Sequence, residues 1–211
     1  MWRLRSNKIS LNMKYPIFSF LFLMVAVAFS GCAQSESTED STLQVLAETP
    51  QIPLLEQVKA NNYSGKDLKI HIDKSAYVLQ VFHKDSLLIT YPCVFGFDPV
   101  SDKMQEGDGA TPEGDFGIRS MYPHKSWSYF IWIDYPNQES WSRFRKRKAD
   151  GTIEQSATIG GEVGIHGVPE GMDDMITERR NWTLGCISLT NEHITDLYKS
   201  INSSTKIEIV P

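Results

Sequence analysis

Cysteine and histidine are scarce in this chain, which has three cysteines and five histidines among its 211 residues. So few cysteines exclude a disulfide-rich scaffold. The histidine and cysteine spacings fit no familiar zinc pattern, so we expect no metal and no other cofactor. Two cysteines of an exported protein can nevertheless pair, which leaves a disulfide between Cys93 and Cys186 as an open alternative.

Long apolar runs are also absent, since none reaches the roughly 18 residues that a membrane-spanning helix needs. The longest run, Tyr15–Phe29, follows four basic residues and precedes Ser30, Gly31 and Cys32. This order is typical of a secretory signal peptide, which we expect at residues 1–31. The tetrapeptide FSGC, which ends at Cys32, resembles a bacterial lipobox and implies that Cys32 is lipidated. An ordinary signal peptide or an uncleaved anchor is the alternative.

Acidic residues outnumber basic residues beyond the N-terminus. Residues 1–31 hold four basic and no acidic residues, so without them the formal net charge falls from −5 to −9. Nucleic acid is therefore not an expected partner. We expect an exported, monomeric lipoprotein whose lipid anchors it to a membrane, facing the periplasm or cell wall.

Composition divides the rest of the chain into a linker region and one domain. Residues 33–49 are rich in Ser, Thr, Gln and acidic residues, which predicts a flexible linker. A short helix is predicted after Pro53, where apolar residues recur at helical spacing. The expected parts are therefore a signal peptide (1–31), a lipidated N-terminus with linker and helix (32–66), and a domain (67–211).

Alternation of apolar and polar residues predicts a mostly β domain of the α+β class. The strands Leu68–Asp73, Ala76–His83 and Leu87–Phe95 are expected to form an antiparallel meander. Further strands are predicted to start at Phe116 and to cover Trp127–Tyr135, Glu162–His166 and Lys206–Val210. Thr190 predicts a helix N-cap, followed by an apolar stripe at Ile194, Leu197, Tyr198 and Ile201.

Two charged segments and one thiol are given structural interpretations. The acidic loop Asp98–Ala110 lacks the spacing of a calcium-binding loop and is predicted to be solvated. The basic run Arg143–Lys148 is predicted to be a solvated helix face, with contact to an anionic polymer or lipid headgroups as the alternative. Cys93 lies in an apolar strand and is predicted to be a core thiol.

A histidine and a cysteine lie at the two ends of a polar loop near the C-terminus. His166 precedes Cys186 by twenty residues. An imidazole that lies near a thiol in space lowers its pKa or takes its proton, which makes the sulfur a nucleophile. The alternative is that His166 ends a buried strand and Cys186 is a small core residue.

Four motifs in order resemble the L,D-transpeptidase catalytic domain, also called the YkuD domain. Sixteen residues separate His166 from Thr183, and Gly185 and Cys186 follow in the register of that family's motif. The upstream segments YPCVFG and TPEGDFGI are similar to its glycine-ending strand and its Thr-Pro-x-Gly-x-Phe signature. The segments DYPN and IGGEVGIHG resemble one branch of the family. The resemblance covers residues from about 68 to 210 and implies a β-sandwich of mixed sheets with short helices.

The resemblance also implies roles for individual residues. Cys186 would be the nucleophile and His166 the general base, Gly185 would help to hold the oxyanion through its backbone, and Gly167 would give backbone support. Candidate substrate contacts are Arg179, Arg180, Thr183, Ser188 and Tyr135. Two positions depart from the family pattern: Leu184 replaces a histidine and Ser188 replaces an arginine or asparagine.

The implied substrate is the peptide stem of peptidoglycan. The thiolate would attack at the diamino acid of a stem, and an amine would resolve the thioester to form a crosslink or attach a protein. Hydrolysis by water, as in an L,D-carboxypeptidase or an amidase, is the first alternative. A wall-binding lipoprotein that has kept the fold without catalysis is the second.

Overall fold

The computed structural model describes residues 51–211, which form two mixed β-sheets with short helices. The strands are β1 (Leu68–Asp73), β2 (Val78–His83), β3 (Ser86–Pro92), β4 (Gly114–Phe116), β5 (Ile118–His124), β6 (Ser128–Ile133), β7 (Gly164–Gly167), β8 (Ile187–Leu189) and β9 (Lys206–Val210). The helices are α1 (Leu54–Asn61), α2 (Gln138–Ala149), α3 (Asp174–Thr177) and α4 (Asn191–Ser200), with a 3₁₀ turn at Gly65–Asp67. No helix within 51–211 is both long and apolar enough to cross a membrane.

The first sheet has the strand order β3-β2-β1-β9-β4 and contains the predicted meander. Strands β1, β2 and β3 pair antiparallel, whereas β9 lies parallel to β1. The alternating residues Ile70 and Ile72 of β1, and Ile207 and Ile209 of β9, face the core. Both strands have the predicted bounds, because every second side chain of a strand points to the same face.

The predicted third strand is too long. Strand β3 ends at Pro92, and Val94 instead forms a bridge with Ser188 at the edge of the second sheet. Cys93, between them, is 1 % exposed, which confirms the prediction of a core thiol. Cys93 and Cys186 are both free, so the disulfide alternative is wrong.

The second sheet has the order β5-β6-β7-β8, with β7 and β8 parallel. The sequence suggested one strand through Phe116 and Ile118, but Phe116 ends β4 in the first sheet and Ile118 begins β5 in the second. Gly117 lies between them, and its N–H donates to Asp134 Oδ1 over 2.9 Å. The chain therefore crosses from one sheet to the other at Gly117, which alternation alone does not reveal.

Helix α4 has the predicted cap and apolar stripe. Thr190 Oγ1 accepts a hydrogen bond from the N–H of His193, and Ile194 and Leu197 are fully buried. Asp196, on the same helix, accepts hydrogen bonds from the N–H groups of Leu54 and Leu55. These bonds satisfy the first amides of α1, which has no capping side chain of its own.

The acidic loop is solvated only in part, since Glu106 is exposed whereas Asp102 and Asp108 belong to a hydrogen-bonded network. The Asp108 carboxylate accepts from the N–H groups of Met104, Gln105 and Ala110. Asp102 accepts from Arg143 and Arg147 of α2. Two cations of the predicted solvated basic run are therefore paired inside the fold, because α2 packs against this loop.

Candidate active site

Parallel strands β7 and β8 bring the His166 and Cys186 segments together. His166 pairs with Ser188, two positions after Cys186. Because paired residues of neighbouring strands share a face, His166 and Ser188 lie on one face of the second sheet, and Cys186 directly precedes β8. The opposite face presents Ile165 and Ile187 to the core, both fully buried.

Aromatic rings enclose His166, whose exposure is 1 %. Its imidazole stacks on Trp127, with ring centroids 4.5 Å apart, and on Phe130 at 5.6 Å. The edge of Trp182 closes the site at 5.6 Å. These contacts restrict the imidazole to one orientation.

The carbonyl of Gly167 selects the tautomer of His166. His166 Nδ1 lies 2.7 Å from Gly167 O. A carbonyl oxygen only accepts, so Nδ1 carries the proton and Nε2 keeps its lone pair. Burial lowers the pKa of His166 to about 4, which leaves the imidazole neutral at pH 7. His166 is thus prepared to accept a proton through Nε2.

Gly167 is also sterically required, as a side chain at this position would lie 2.4 Å from Asn191 Oδ1 and 2.8 Å from Trp127 O. Its N–H donates to the same Trp127 carbonyl over 3.0 Å. Gly167 therefore fixes both the imidazole and the turn that carries Trp127.

Cys186 is a protonated thiol at rest. Burial raises its pKa to about 11, although the charge of Lys103 acts in the opposite direction. Its Sγ lies 3.6 Å from Glu162 O, and among the described residues no hydrogen bond joins Sγ to His166. The resting pair is therefore a neutral thiol and a neutral imidazole, which favours proton removal during the reaction over a preformed thiolate.

Thr183 shapes the loop that carries Cys186. Its Oγ1 accepts from the N–H of Gly185 over 3.1 Å and donates to the carbonyl of Cys186 over 2.7 Å. The first bond occupies the Gly185 N–H, so this amide does not serve as the expected oxyanion donor in this conformation. Gly185 has φ of 138°, and a Cβ there would lie 2.6 Å from Ala110 O. Glycine is required at this position by space and backbone angle.

Lys103 is a site residue that the sequence did not reveal. Its side chain is 3 % exposed, and Nζ lies 2.8 Å from Asp108 Oδ1. The same ammonium donates to Ala110 O and Leu184 O, both over 3.4 Å. Lys103 thus links the acidic loop to the cysteine loop, a contact between distant segments that carries no motif.

The expected substrate residues divide into buried and exposed positions. Tyr135 is 3 % exposed and its hydroxyl donates to Ile159 O over 3.1 Å, so its side chain belongs to the core rather than to a binding surface. Ser188 is fully buried and its Oγ has no hydrogen-bond partner within residues 51–211. Neither side chain faces solvent, which corrects both expectations.

The two arginines lie on the surface of the loop between β7 and β8. Arg180 forms ion pairs with Asp174 and Glu178, over 2.8 and 2.7 Å. The guanidinium of Arg179 lies 5.1 Å from the ring centre of Tyr77. Leu184, where the family has a histidine, is 68 % exposed beside the cysteine. Arg179, Arg180 and Leu184 are therefore accessible to a substrate.

Residues 67–209 match the model of the L,D-transpeptidase catalytic domain, YkuD. The chain belongs to this family. Within it, His166 lies on β7, and Gly185 and Cys186 directly precede β8, the strand that pairs with β7.

The fold is similar to those of several solved structures. Bd1075 of Bdellovibrio bacteriovorus is 21 % identical, with a TM-score of 0.49 over 71 % of this chain and 49 % of that one. The helical cell shape determining protein Pgp2 of Campylobacter jejuni is 18 % identical, with a TM-score of 0.49 over 74 % and 53 %. L,D-transpeptidase 3 of Mycobacterium tuberculosis is 12 % identical, with a TM-score of 0.46 over 69 % and 60 %. This chain therefore spans about half the length of the first two, and no curated protein matches it significantly.

Proposed function

We propose that this protein modifies peptidoglycan by forming a thioester between Cys186 and a peptide stem. The observation that carries the proposal is the 2.7 Å contact between His166 Nδ1 and Gly167 O, which leaves Nε2 as a proton acceptor on the strand that pairs with β8, directly after the free thiol of Cys186. Membership of the family supplies the reaction class.

In the first half-reaction, His166 Nε2 takes the Sγ proton as Cys186 attacks the amide carbonyl at the L-centre of the stem's diamino acid. The oxyanion forms near the N–H of Cys186, since the Gly185 amide is occupied by Thr183. The carbon–nitrogen bond then breaks, and His166 returns the proton to the departing terminal D-residue. The product is a thioester, with a neutral imidazole restored.

In the second half-reaction, an acceptor amine attacks the thioester and loses its proton to His166, and Sγ leaves as the thiol. Glu162 favours an amine over water. Its carboxylate is exposed, has no partner within residues 51–211, and is close enough to act on the charge of Cys186. A carboxylate at this position attracts a cationic amine, which loses one proton to solvent before the neutral amine attacks the thioester.

The proposed reaction uses His166 and Cys186 and includes no metal ion. No group of three His, Cys, Asp or Glu side chains that could hold a metal occurs in residues 51–211. The proposed setting is the periplasm or cell wall, with the protein exported and held at the membrane by lipid on Cys32. Cys32, the signal peptide and the linker lie outside the described residues. A monomer suffices, because both proposed catalytic residues come from one chain.

The test compares the protein and its Cys186→Ala variant on purified muropeptides, with products identified by mass. New 3-3 crosslinks that require Cys186 establish transfer. Stems shortened by one residue, or groups released from the wall, would establish the hydrolase alternative. Unchanged muropeptides together with retained wall binding would support a non-catalytic protein and contradict both enzyme reactions.

A further inference from the structure

A second histidine, His124, lies beside the rings that enclose His166. It is half-buried at the end of β5, and its imidazole stacks on Trp127, with ring centroids 4.3 Å apart and planes 12° from parallel. Trp127 stacks in turn on His166, at 4.5 Å and 24°. Within residues 51–211 no ring contact joins the two histidines directly. Trp127 is therefore the link between them.

The order of the three rings follows the order of the strands. Strands β5, β6 and β7 are neighbours in the second sheet, and Trp127 directly precedes β6. Neighbouring strands lie about 4.8 Å apart, which is close to both ring spacings. Trp127 therefore lies between the two imidazoles, and a change on the His124 side reaches His166 through one indole ring.

A second stack of rings ends on the same imidazole but is held differently. Tyr122 of β5 stacks on Phe130 of β6 at 5.5 Å, and Phe130 stacks on His166 at 5.6 Å. Phe130 pairs with His166 in the sheet, so the register of the strands fixes its position. Trp127 lies in the turn, outside the register of both strands. The position of its ring depends on side-chain contacts, of which the one with His124 has the shortest ring spacing.

The turn holds His124 in place. The N–H of Ser126 donates to His124 Nδ1 over 3.2 Å. An N–H only donates, so Nδ1 is the acceptor and the neutral ring carries its proton on Nε2. Lys125, the other basic residue of the turn, is exposed. The hydrogen bond and the stack together fix the plane of the His124 ring against Trp127.

His124 also acts on His166 through its charge. Burial is the main cause of the low pKa of His166, and the charge of His124 lowers that pKa further. Its position thus affects both the orientation and the basicity of the His166 imidazole.

We propose that His124 is a positioning residue for His166, because it holds Trp127 against the imidazole and so keeps Nε2 in the orientation that proton transfer requires. In this role His124 contacts neither the substrate nor the thiol. The inference rests on the proposed function for the use of that orientation, whereas the stack of rings is a property of the fold.

Nitrogen-15 NMR of the histidine rings in the full chain tests the proposal without turnover. His166→Gln identifies the His166 signals among those of the five histidines. In the wild type we expect a protonated Nδ1 and an unprotonated Nε2 at pH 7. His124→Gln keeps an acceptor for Ser126 but removes the ring, so we expect mixed tautomers as the His166 ring turns away from Gly167 O. His124→Phe keeps a ring and removes the charge, so we expect the wild-type tautomer with a titration midpoint about half a pH unit higher.

Steady-state kinetics on muropeptides measures the effect on the reaction. We expect His124→Gln to lower kcat roughly tenfold with KM unchanged, because a misplaced base slows proton transfer and leaves the binding surface intact. His124→Phe should retain most of kcat. The control is His83→Gln on β2, which removes a histidine stacked on Tyr63 in the first sheet. This control should change neither kcat nor the His166 signals.

Identical His166 signals in the wild type, His124→Gln and His124→Phe would overturn the positioning role. Equal losses of kcat in the glutamine and phenylalanine variants would overturn it as well, since the ring would then have no effect. Melting curves establish that each variant is folded. If His124→Gln does not fold, His124→Leu, which fills the space without a flat ring, replaces it with the same expected result.

The proposed function is judged separately, from the products that the wild-type protein makes. Altered His166 signals in His124→Gln without any turnover by the wild type refute the function alone. Turnover by the wild type with unaltered His166 signals in both His124 variants refutes the positioning role alone.

Discussion

The ammonium of Lys103 lies 3.4 Å from the carbonyl oxygen of Leu184, two residues before Cys186. The charged groups that act on the thiol are Lys103 and Glu162, and Lys103 is itself paired with Asp108. Lys103 is the cation that favours the thiolate, and Glu162 opposes it. The reactivity of Cys186 should therefore depend on a lysine that need not touch the substrate.

Lys103→Met should raise the pKa of Cys186, because it removes the positive charge that stabilises the thiolate. We expect alkylation by iodoacetamide at pH 7 to slow roughly tenfold, which corresponds to a shift of about one pH unit. The measurement is the alkylation rate as a function of pH. Lys103→Arg keeps the charge and should keep the profile, and Lys103→Met with Asp108→Asn avoids an unpaired buried carboxylate. An unchanged profile in the folded variants would assign Lys103 a structural role only.

The acid limb of kcat/KM should lie near pH 4 rather than near 6.5. Only neutral His166 accepts a proton, and burial lowers its pKa to about 4, so activity persists as the pH falls until the imidazole protonates. The same depression makes the folded state lose stability between about 6.5 and 4, where the unfolded chain binds the proton first. A limb at about 6.5 with the protein fully folded would show that His166 is solvated in the active form.

Thr183→Val should lower kcat/KM by roughly ten- to hundredfold, because it removes both hydrogen bonds that hold the cysteine loop. Thr183→Ser retains the hydroxyl and should retain most of the activity. Steady-state kinetics on muropeptides checks both variants. Equal activity of the valine and serine variants would mean that the loop keeps its shape without Thr183 Oγ1.

Gly185→Ala should destabilise the fold more than an ordinary glycine substitution. Its Cβ would lie 2.6 Å from Ala110 O, and this backbone contact cannot move aside as a flexible side chain would. Gly171→Ala is the matched control, since Gly171 also has positive φ but no atom within 4 Å of its Cβ position. We expect Gly185→Ala to lose about 1–3 kcal/mol more than the control in urea unfolding. Equal losses would contradict the steric explanation.

Apolar alternation and helix-capping residues correctly predicted the strands and the helix that depend on local sequence. Alternation defined β1 and β9 to the residue, and Thr190 identified the start of α4. The crossing at Gly117 was missed because Phe116 and Ile118 are both buried, although in different sheets. Because the apolar alternation continues across Gly117, the sequence alone does not distinguish two strands in different sheets from one continuous strand.

The candidate site shows the same division. His166 and Cys186 follow from motif spacing, whereas Lys103 and Trp127 come from segments far away in sequence and are placed by tertiary contacts alone. Tyr135 and Ser188 were expected at the substrate because of their positions in the motif, yet both side chains are buried. Family position does not determine the direction of a side chain when the neighbouring residues differ.

The central claim is that Cys186 carries the acyl group of a peptide stem, and intact-protein mass spectrometry tests it most directly. The protein is mixed with a tetrapeptide muropeptide and quenched in acid within seconds. We predict an adduct equal to the donor stem without its terminal residue, mapped to Cys186, removed by hydroxylamine and absent from Cys186→Ala. Products formed at the wild-type rate by Cys186→Ala, or an adduct mapped to another residue, would contradict the account.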